Sequence, residues 1–143
     1  MKKIFLIMIG FSIALFSDFS RSFNGIVTDN STGLEWQDDY SDNGGDIKKA
    51  NWIDSIDYCE KELTLDGGGW RLPNINELTS IMDDTKYNPS INNIFENTKS
   101  YAYWSSTSYY HETAWSVVFY SSTTSHVHKS RPTYYVRCVR GGE

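Results

Sequence analysis

The run of apolar and polar positions divides the chain into a charged apolar leader, a first β-hairpin, two helices and a β-rich second half. In the leader, Lys2 and Lys3 precede an apolar stretch from Ile4 to Phe16 broken only by Gly10 and Ser12. A charged start and a short apolar core form the pattern of a secretory signal. The stretch falls short of the roughly 20 apolar residues that span a membrane. Ser17, Ser20 and Ser22 offer cleavage points, so residues 1 to about 22 are expected to be removed. What remains, 23–143, is one domain's length, with no membrane span.

Within it, Gly25-Ile26-Val27 and Leu34-Glu35-Trp36 are strand-like runs around the turn-rich Thr28–Gly33, with Trp36 facing inward. Ile47 to Leu63 reads as the first helix, with Trp52, Ile53, Ile56, Cys59 and Leu63 on one apolar face. Gly67, Gly68 and Gly69 then allow a sharp reversal. Trp70, Arg71 and Leu72 are extended, because the residue before Pro73 is pushed out of the helical region. Asn74 and Glu77 make a capping-box pattern that opens a second helix with Ile75, Leu78, Ile81 and Met82 at helical spacing. A buried Trp70 and an Arg71 held by a fixed partner are expected at this corner. Asn88-Pro89-Ser90 marks a turn, and Ile91, Ile94 and Phe95 anchor the loop after it. Tyr101–Thr107, Ala114–Tyr120, His126–Lys129 and Thr133–Arg140 read as antiparallel strands, with the intervening turn at Ser121–Ser125. Trp115, Val117 and Phe119 share one face, as do Val136 and Cys138.

Charge narrows the partners. The chain has 13 Lys and Arg against 18 Asp and Glu, and removing the leader takes out Lys2, Lys3, Arg21 and Asp18. The acidic remainder excludes nucleic acid, whose affinity depends on neutralising phosphates. Two cysteines, Cys59 and Cys138, in an exported chain imply one disulfide; they lack the C-x-x-C spacing of a reactive pair. Asp38–Asp46 partly fits a calcium loop, but Ala50 stands where the bidentate Glu belongs, so a solvated loop is expected. No elbow motif surrounds Ser105 and Ser106. His126 and His128 share a strand face but lack an evident third ligand, so no metal and no cofactor is expected. His126, His128, Lys129, Arg131, Arg137 and Arg140 crowd the last 18 residues, where Glu143 is the sole acid. A positive patch there, with Tyr109, Tyr110, Tyr134 and Tyr135 as stacking faces, is the expected binding site for an acidic glycan. The alternative is that Arg137 and Arg140 pair with acids inside the domain.

Several segments occur in a recognisable order: Thr32–Asp38, Tyr58-Cys59, Gly68-Gly69-Trp70-Arg71-Leu72-Pro73-Asn74, Glu77-Leu78, Tyr103-Trp104-Ser105-Ser106 and Val136-Arg137-Cys138-Val139-Arg140. Together they resemble the DUF1566 family, also called the Lcl C-terminal domain after a collagen-like adhesin of Legionella. That family is similar to the formylglycine-generating-enzyme and C-type-lectin-like group. The resemblance implies an α+β, C-type-lectin-like fold of two helices and small twisted antiparallel sheets, with termini close together; the residues themselves already give a disulfide from first helix to last strand. Its motif residues here are Trp36, Trp70, Arg71, Leu72, Pro73, Asn74, Glu77, Trp104 and Arg137. The lectin-type calcium motifs are missing, and Trp115-Ser116-Val117 stands at the counterpart of one of them. The enzymes of the group use a cysteine pair with copper, whereas here both cysteines are expected in the bridge. The function expected is an exported, non-catalytic binding or adhesion module of the bacterial envelope. It would be periplasmic, at the cell surface or secreted, with a glycan or an envelope protein as partner. The alternatives are an enzyme of the formylglycine-generating type and a purely structural envelope domain.

Overall fold

The computed structural model of the chain describes residues 18–142. The leader up to Ser17 lies outside the described residues. Two sheets carry the fold. The first orders β1 (Phe19–Arg21), β2 (Ile26–Asp29), β3 (Glu35–Gln37) and β9 (Val139–Arg140), all antiparallel. The second orders β4 (Lys49–Ala50), β8 (Tyr134–Tyr135), β5 (Ala102–Tyr110), β6 (Thr113–Val118) and β7 (Thr123–His128). Its pairings are antiparallel except for β5 with β8. The β2–β3 hairpin turns through Gly33 at φ +76°, a conformation that glycine adopts without steric cost. Trp36 faces inward and is fully buried.

Helix α2 (Ile75–Ser80) starts as its sequence requires. The Asn74 side chain accepts from the Glu77 N–H at 2.8 Å, and the Glu77 carboxylate accepts from the Asn74 N–H at 3.0 Å. Glu77 also receives both terminal nitrogens of Arg71, at 2.6 and 2.8 Å. Arg71 thus has the fixed partner that the corner calls for. Trp70 is buried and donates its indole N–H to the Leu65 carbonyl at 2.8 Å, while the Arg140 guanidinium lies 4.4 Å over its ring.

Two cores result. Leu78 and Ile81 pack with Trp36, Tyr103, Val117 and Phe119 on one side of the five-stranded sheet. Cys59 and Leu63 pack with Trp104, Ala114, Val136 and Cys138 on the other. Cys59 and Cys138 are bonded, with Cα atoms 5.5 Å apart. Among the described residues no helix is long and apolar enough to cross a membrane.

Several expectations change in the folded chain. Helix α1 spans Trp52–Asp57, capped by Asn51, and its last turn (Tyr58–Glu62) widens so that the Leu63 N–H reaches the Tyr58 carbonyl. Residues 47–50, read as helix, are extended, because β4 completes the sheet edge beside β8. Ile53, placed on the apolar face, is exposed: the inner side is made by positions 52, 55, 56, 58, 59 and 63. Strand β7 begins at Thr123, not after Ser125, since Thr123 and Thr124 pair with Val118 and Val117. The closing strand is two short pieces in different sheets, β8 and β9, because the chain crosses between the sheets at Val136–Cys138. Asp38, expected in a solvated loop, is fully buried. Phe19–Arg21 lies inside the segment expected to be removed, yet it pairs with Val27–Asp29, so the folded unit reaches back past residue 23.

Candidate functional site

Asp38 and Arg137, from the first and last of the recognisable segments, meet at a buried charged centre. Arg137 donates from Nη1 to the Gln37 carbonyl and to Asp38 Oδ1, both at 2.8 Å. From Nη2 it donates to the Asn97 carbonyl at 2.6 Å and the Thr98 hydroxyl at 2.8 Å. Asp38 also receives the N–H of Glu96 at 2.8 Å and pairs with Arg21 from β1. Burial alone would favour the neutral guanidine. The neighbouring Tyr40, Asp38 and Tyr103 reverse that and hold Arg137 above its ordinary value, so it stays charged. With both partners fully buried, this centre staples β1, β3, the 95–98 loop and the segment before β9. It has no open face for a ligand. Arg140 is likewise engaged, by Glu35 at 2.5 Å and Asp66 at 2.7 Å. The two arginines therefore belong to the scaffold, as the alternative reading of the C-terminal charges held.

The remaining expected site residues divide into two groups. At the far end of β5–β7, His126 stacks on Tyr109 with ring centroids 4.1 Å apart and planes at 28°. Trp115, directly opposite His126 in the ladder, meets Tyr109 edge-on at 5.1 Å and His126 at 5.2 Å. Tyr110 adds a fourth ring, 4.5 Å from Tyr109. The register of β5 against β6 slips between Trp104 and Ser108 and again before Tyr110. Such irregularities re-aim side chains, and here two tyrosines point outward, 41% and 68% exposed. Trp115 shares its face with the core residue Val117, so the cluster continues the α2 side of the sheet past the helix.

Lys129 closes the neighbouring corner. Its backbone bonds to Glu112 and Trp52, its ammonium lies 4.1 Å over the Trp52 ring, and it donates to the His111 carbonyl at 3.0 Å. His128 turns to Ser130 at 2.6 Å and Glu112 at 3.4 Å. Arg131 is exposed beside them. Tyr134 and Tyr135 are not part of this surface. On β8, Tyr134 packs on Trp104 with centroids 4.8 Å apart, and Tyr135 packs on Tyr103 at 5.5 Å. Ser105 is buried and donates to the Trp115 carbonyl at 2.7 Å. Among the described residues no group of three or more His, Cys, Asp or Glu is placed to hold a metal.

The family model described as the Lcl C-terminal domain matches residues 25–140. The chain belongs to that family. No curated protein matches it. In this Lcl C-terminal domain Trp36, Trp70, Leu72, Pro73, Trp104 and Arg137, among the residues that carry the resemblance, are buried, and Asn74 and Glu77 form the helix cap. These residues build the scaffold, whereas Tyr109 and Tyr110 are exposed. Trp115 and Trp52 escape sequence reasoning because their spacing is that of core residues. The one signal for the cluster is the pair Tyr109-Tyr110 beside a turn.

Proposed function

We propose that this Lcl C-terminal domain is an exported, non-catalytic binding module of the bacterial envelope, and that it holds glycans on the Tyr109–Tyr110–Trp115–His126 surface. The aromatic cluster carries this reading. Rings are costly to leave in water unless a partner covers them, and tyrosine and tryptophan offer a large contact face with a polar tip. The rings stand on the paired strands β5, β6 and β7, whose ladder holds such faces in place and lowers the ordering cost of binding. Both cysteines are in the bridge, which supports a binding role over chemistry that needs a free thiol. The bridge also supports export, since disulfides persist in oxidising compartments. A leader cleaved near Ser17 would leave β1, and with it Arg21 beside Asp38, in the mature protein.

The test is a glycan array probed with the wild-type protein and with a Tyr109→Ser/Tyr110→Ser variant. Retention of a set of neutral oligosaccharides by wild type, and their loss in the variant at unchanged Tm, is the expected result. Equal retention by both proteins, or none by wild type, rejects the reading.

A further inference from the structure

The five-stranded sheet ends on one side in β7, and among the described residues no strand pairs its outer edge. Thr123–His128 runs against β6 in unbroken register, from Thr123 opposite Val118 to His128 opposite Thr113. An open strand edge is a template for another chain, and proteins guard such edges with short strands, lysine, proline or bulges. The other open edges are guarded in this way. At the far end of the same sheet, β4 has 2 residues and carries Lys49, and β1, outermost in the first sheet, has 3. The β7 sequence Thr-Thr-Ser-His-Val-His has none of these devices, and every side chain but the half-buried Val127 is exposed.

The ladder fixes which backbone groups are free. Hydrogen-bonded and non-hydrogen-bonded pairs alternate along antiparallel strands. The Lys129 N–H donates to the Glu112 carbonyl at 2.8 Å, one place beyond the His128–Thr113 pair. Thr123, Ser125 and Val127 therefore turn their N–H and C=O toward β6, and Thr124, His126 and His128 turn theirs outward. The β5 side agrees: the Phe119 N–H reaches the Tyr101 carbonyl at 3.0 Å, so Val118 before it faces Thr123. The outward carbonyl of His128 receives the Arg131 N–H at 3.0 Å. Thr124 and His126 each keep a donor and an acceptor with no partner among the described residues.

An identical strand fits this edge. Outward groups must meet outward groups, which restricts the registers open to a second copy. Centred on His126, the pairing sets His126 against His126 and Thr124 against His128, and uses all the outward residues of both strands. A step to either side brings His128 opposite Ser122 or Thr124 opposite Ser130, and both lie in turns beyond the strand. Ser122, at φ +53°, has left the extended region altogether. The strand carries no Asp, Glu, Lys or Arg, so two copies meet without like charge. The two-fold axis of such a pair stands perpendicular to the sheet and keeps each face continuous. The Tyr109, Trp115 and His126 rings of the two copies then adjoin on one side.

We infer that the chain forms a two-fold dimer by antiparallel pairing of β7 with β7 of a second copy, which joins the two five-stranded sheets into one. The inference stands on the backbone and is independent of what the rings hold. About six main-chain hydrogen bonds between small side chains make an interface below the roughly 1,200 Å² of stable complexes. The expected Kd is therefore on the order of 100 µM.

The experiment is sedimentation equilibrium of the protein, disulfide intact, at loadings that span this Kd, with amide hydrogen exchange followed over the same concentrations. A monomer–dimer equilibrium is expected. The Thr124 and His126 amides should gain protection as the dimer forms, while those of Ser125 and Val127, already bonded to β6, change little. Thr124→Pro removes an outward donor without taking a bond from the β6 ladder, and should raise the Kd at least about tenfold at unchanged Tm. The exchange pattern of the wild type reads the register even if proline lowers the Tm. Tyr109→Ser/Tyr110→Ser should dimerise as the wild type does. A monomer at every loading, an assembly larger than a dimer, or a dimer whose Thr124 and His126 amides exchange as in the monomer would overturn the inference. So would undiminished dimerisation of a Thr124→Pro variant that keeps its Tm. Failure of the wild type to retain any glycan would leave the dimer standing and overturn only the aromatic-surface reading.

Discussion

Replacing Arg137 with Met keeps most of the side chain's length and removes its charge. The guanidinium reaches four acceptors at 2.6 to 2.8 Å: two backbone carbonyls, a hydroxyl and a carboxylate. Truncation leaves the carbonyls of Gln37 and Asn97 without this donor, and a buried acceptor left unpaired costs about 1–3 kcal/mol. Asp38 keeps Arg21 and the N–H groups of Glu96 and Asn97, so it is weakened and not abandoned. Against these losses stands the relief of desolvating a cation whose Nε is buried without a partner. Removing one member of a buried ion pair typically costs about 3–5 kcal/mol net, and the intact Arg21 contact places Arg137→Met near 3. That is a large share of the roughly 5–15 kcal/mol that holds a domain together. Urea unfolding followed by tryptophan fluorescence measures it. Arg137→Met combined with Asp38→Asn should cost less than the sum of the two single changes, because each removes the other's partner. A loss below about 1 kcal/mol for Arg137→Met, or strict additivity in the double variant, would refute this account of the centre.

Three further outcomes test the scaffold. Trp70→Ala removes a buried ring under Arg140 and should lower stability by about 3–5 kcal/mol, read by urea unfolding; an unchanged midpoint would contradict its burial. Cys59→Ser/Cys138→Ser opens a bridge across 79 positions, and the chain-entropy model assigns that closure about 4–5 kcal/mol. Non-reducing mass spectrometry of wild type should find no alkylatable thiol. Burial would push the Glu77 carboxyl up, but Arg71 and the Asn74 N–H outweigh it and hold the group below its ordinary 4.5. Its contribution is therefore complete above 4.5 and is lost as pH falls through the lower folded value. The stability gap between wild type and Glu77→Gln should be full at neutral pH and shrink in acid; a gap independent of pH would show that the ion pair contributes nothing.

The corner from Gly67 to Leu78 was fully legible because its signals are local: glycines, a pre-proline residue and a cap three positions from its partner. The disulfide was legible because only one pairing is available. The helix start at Trp52 was not, since Ile47 and Ala50 fit a helical pattern equally well and only the β8 edge decides against it. Asp38 read as a loop carboxylate for the same kind of reason. Its partner Arg137 lies 99 positions away, and nothing in the spacing connects them. Of the expected binding residues, His126 through Arg131 share a surface because they share a hairpin end. Tyr134 and Tyr135 follow closely in sequence but lie on β8, where Tyr134 packs on Trp104 and Tyr135 packs on Tyr103 beside Lys49.

The central claim is that ligands meet the aromatic end of β5–β7. The most direct measurement is the change in amide and indole N–H shifts on adding a neutral oligosaccharide that the protein retains on an array. The account predicts the largest changes at the Trp115 indole and at residues 108–110, 114–116 and 125–127. Largest changes in the 86–98 loop or around Lys48 and Lys99, with the Trp115 indole unmoved, would contradict it.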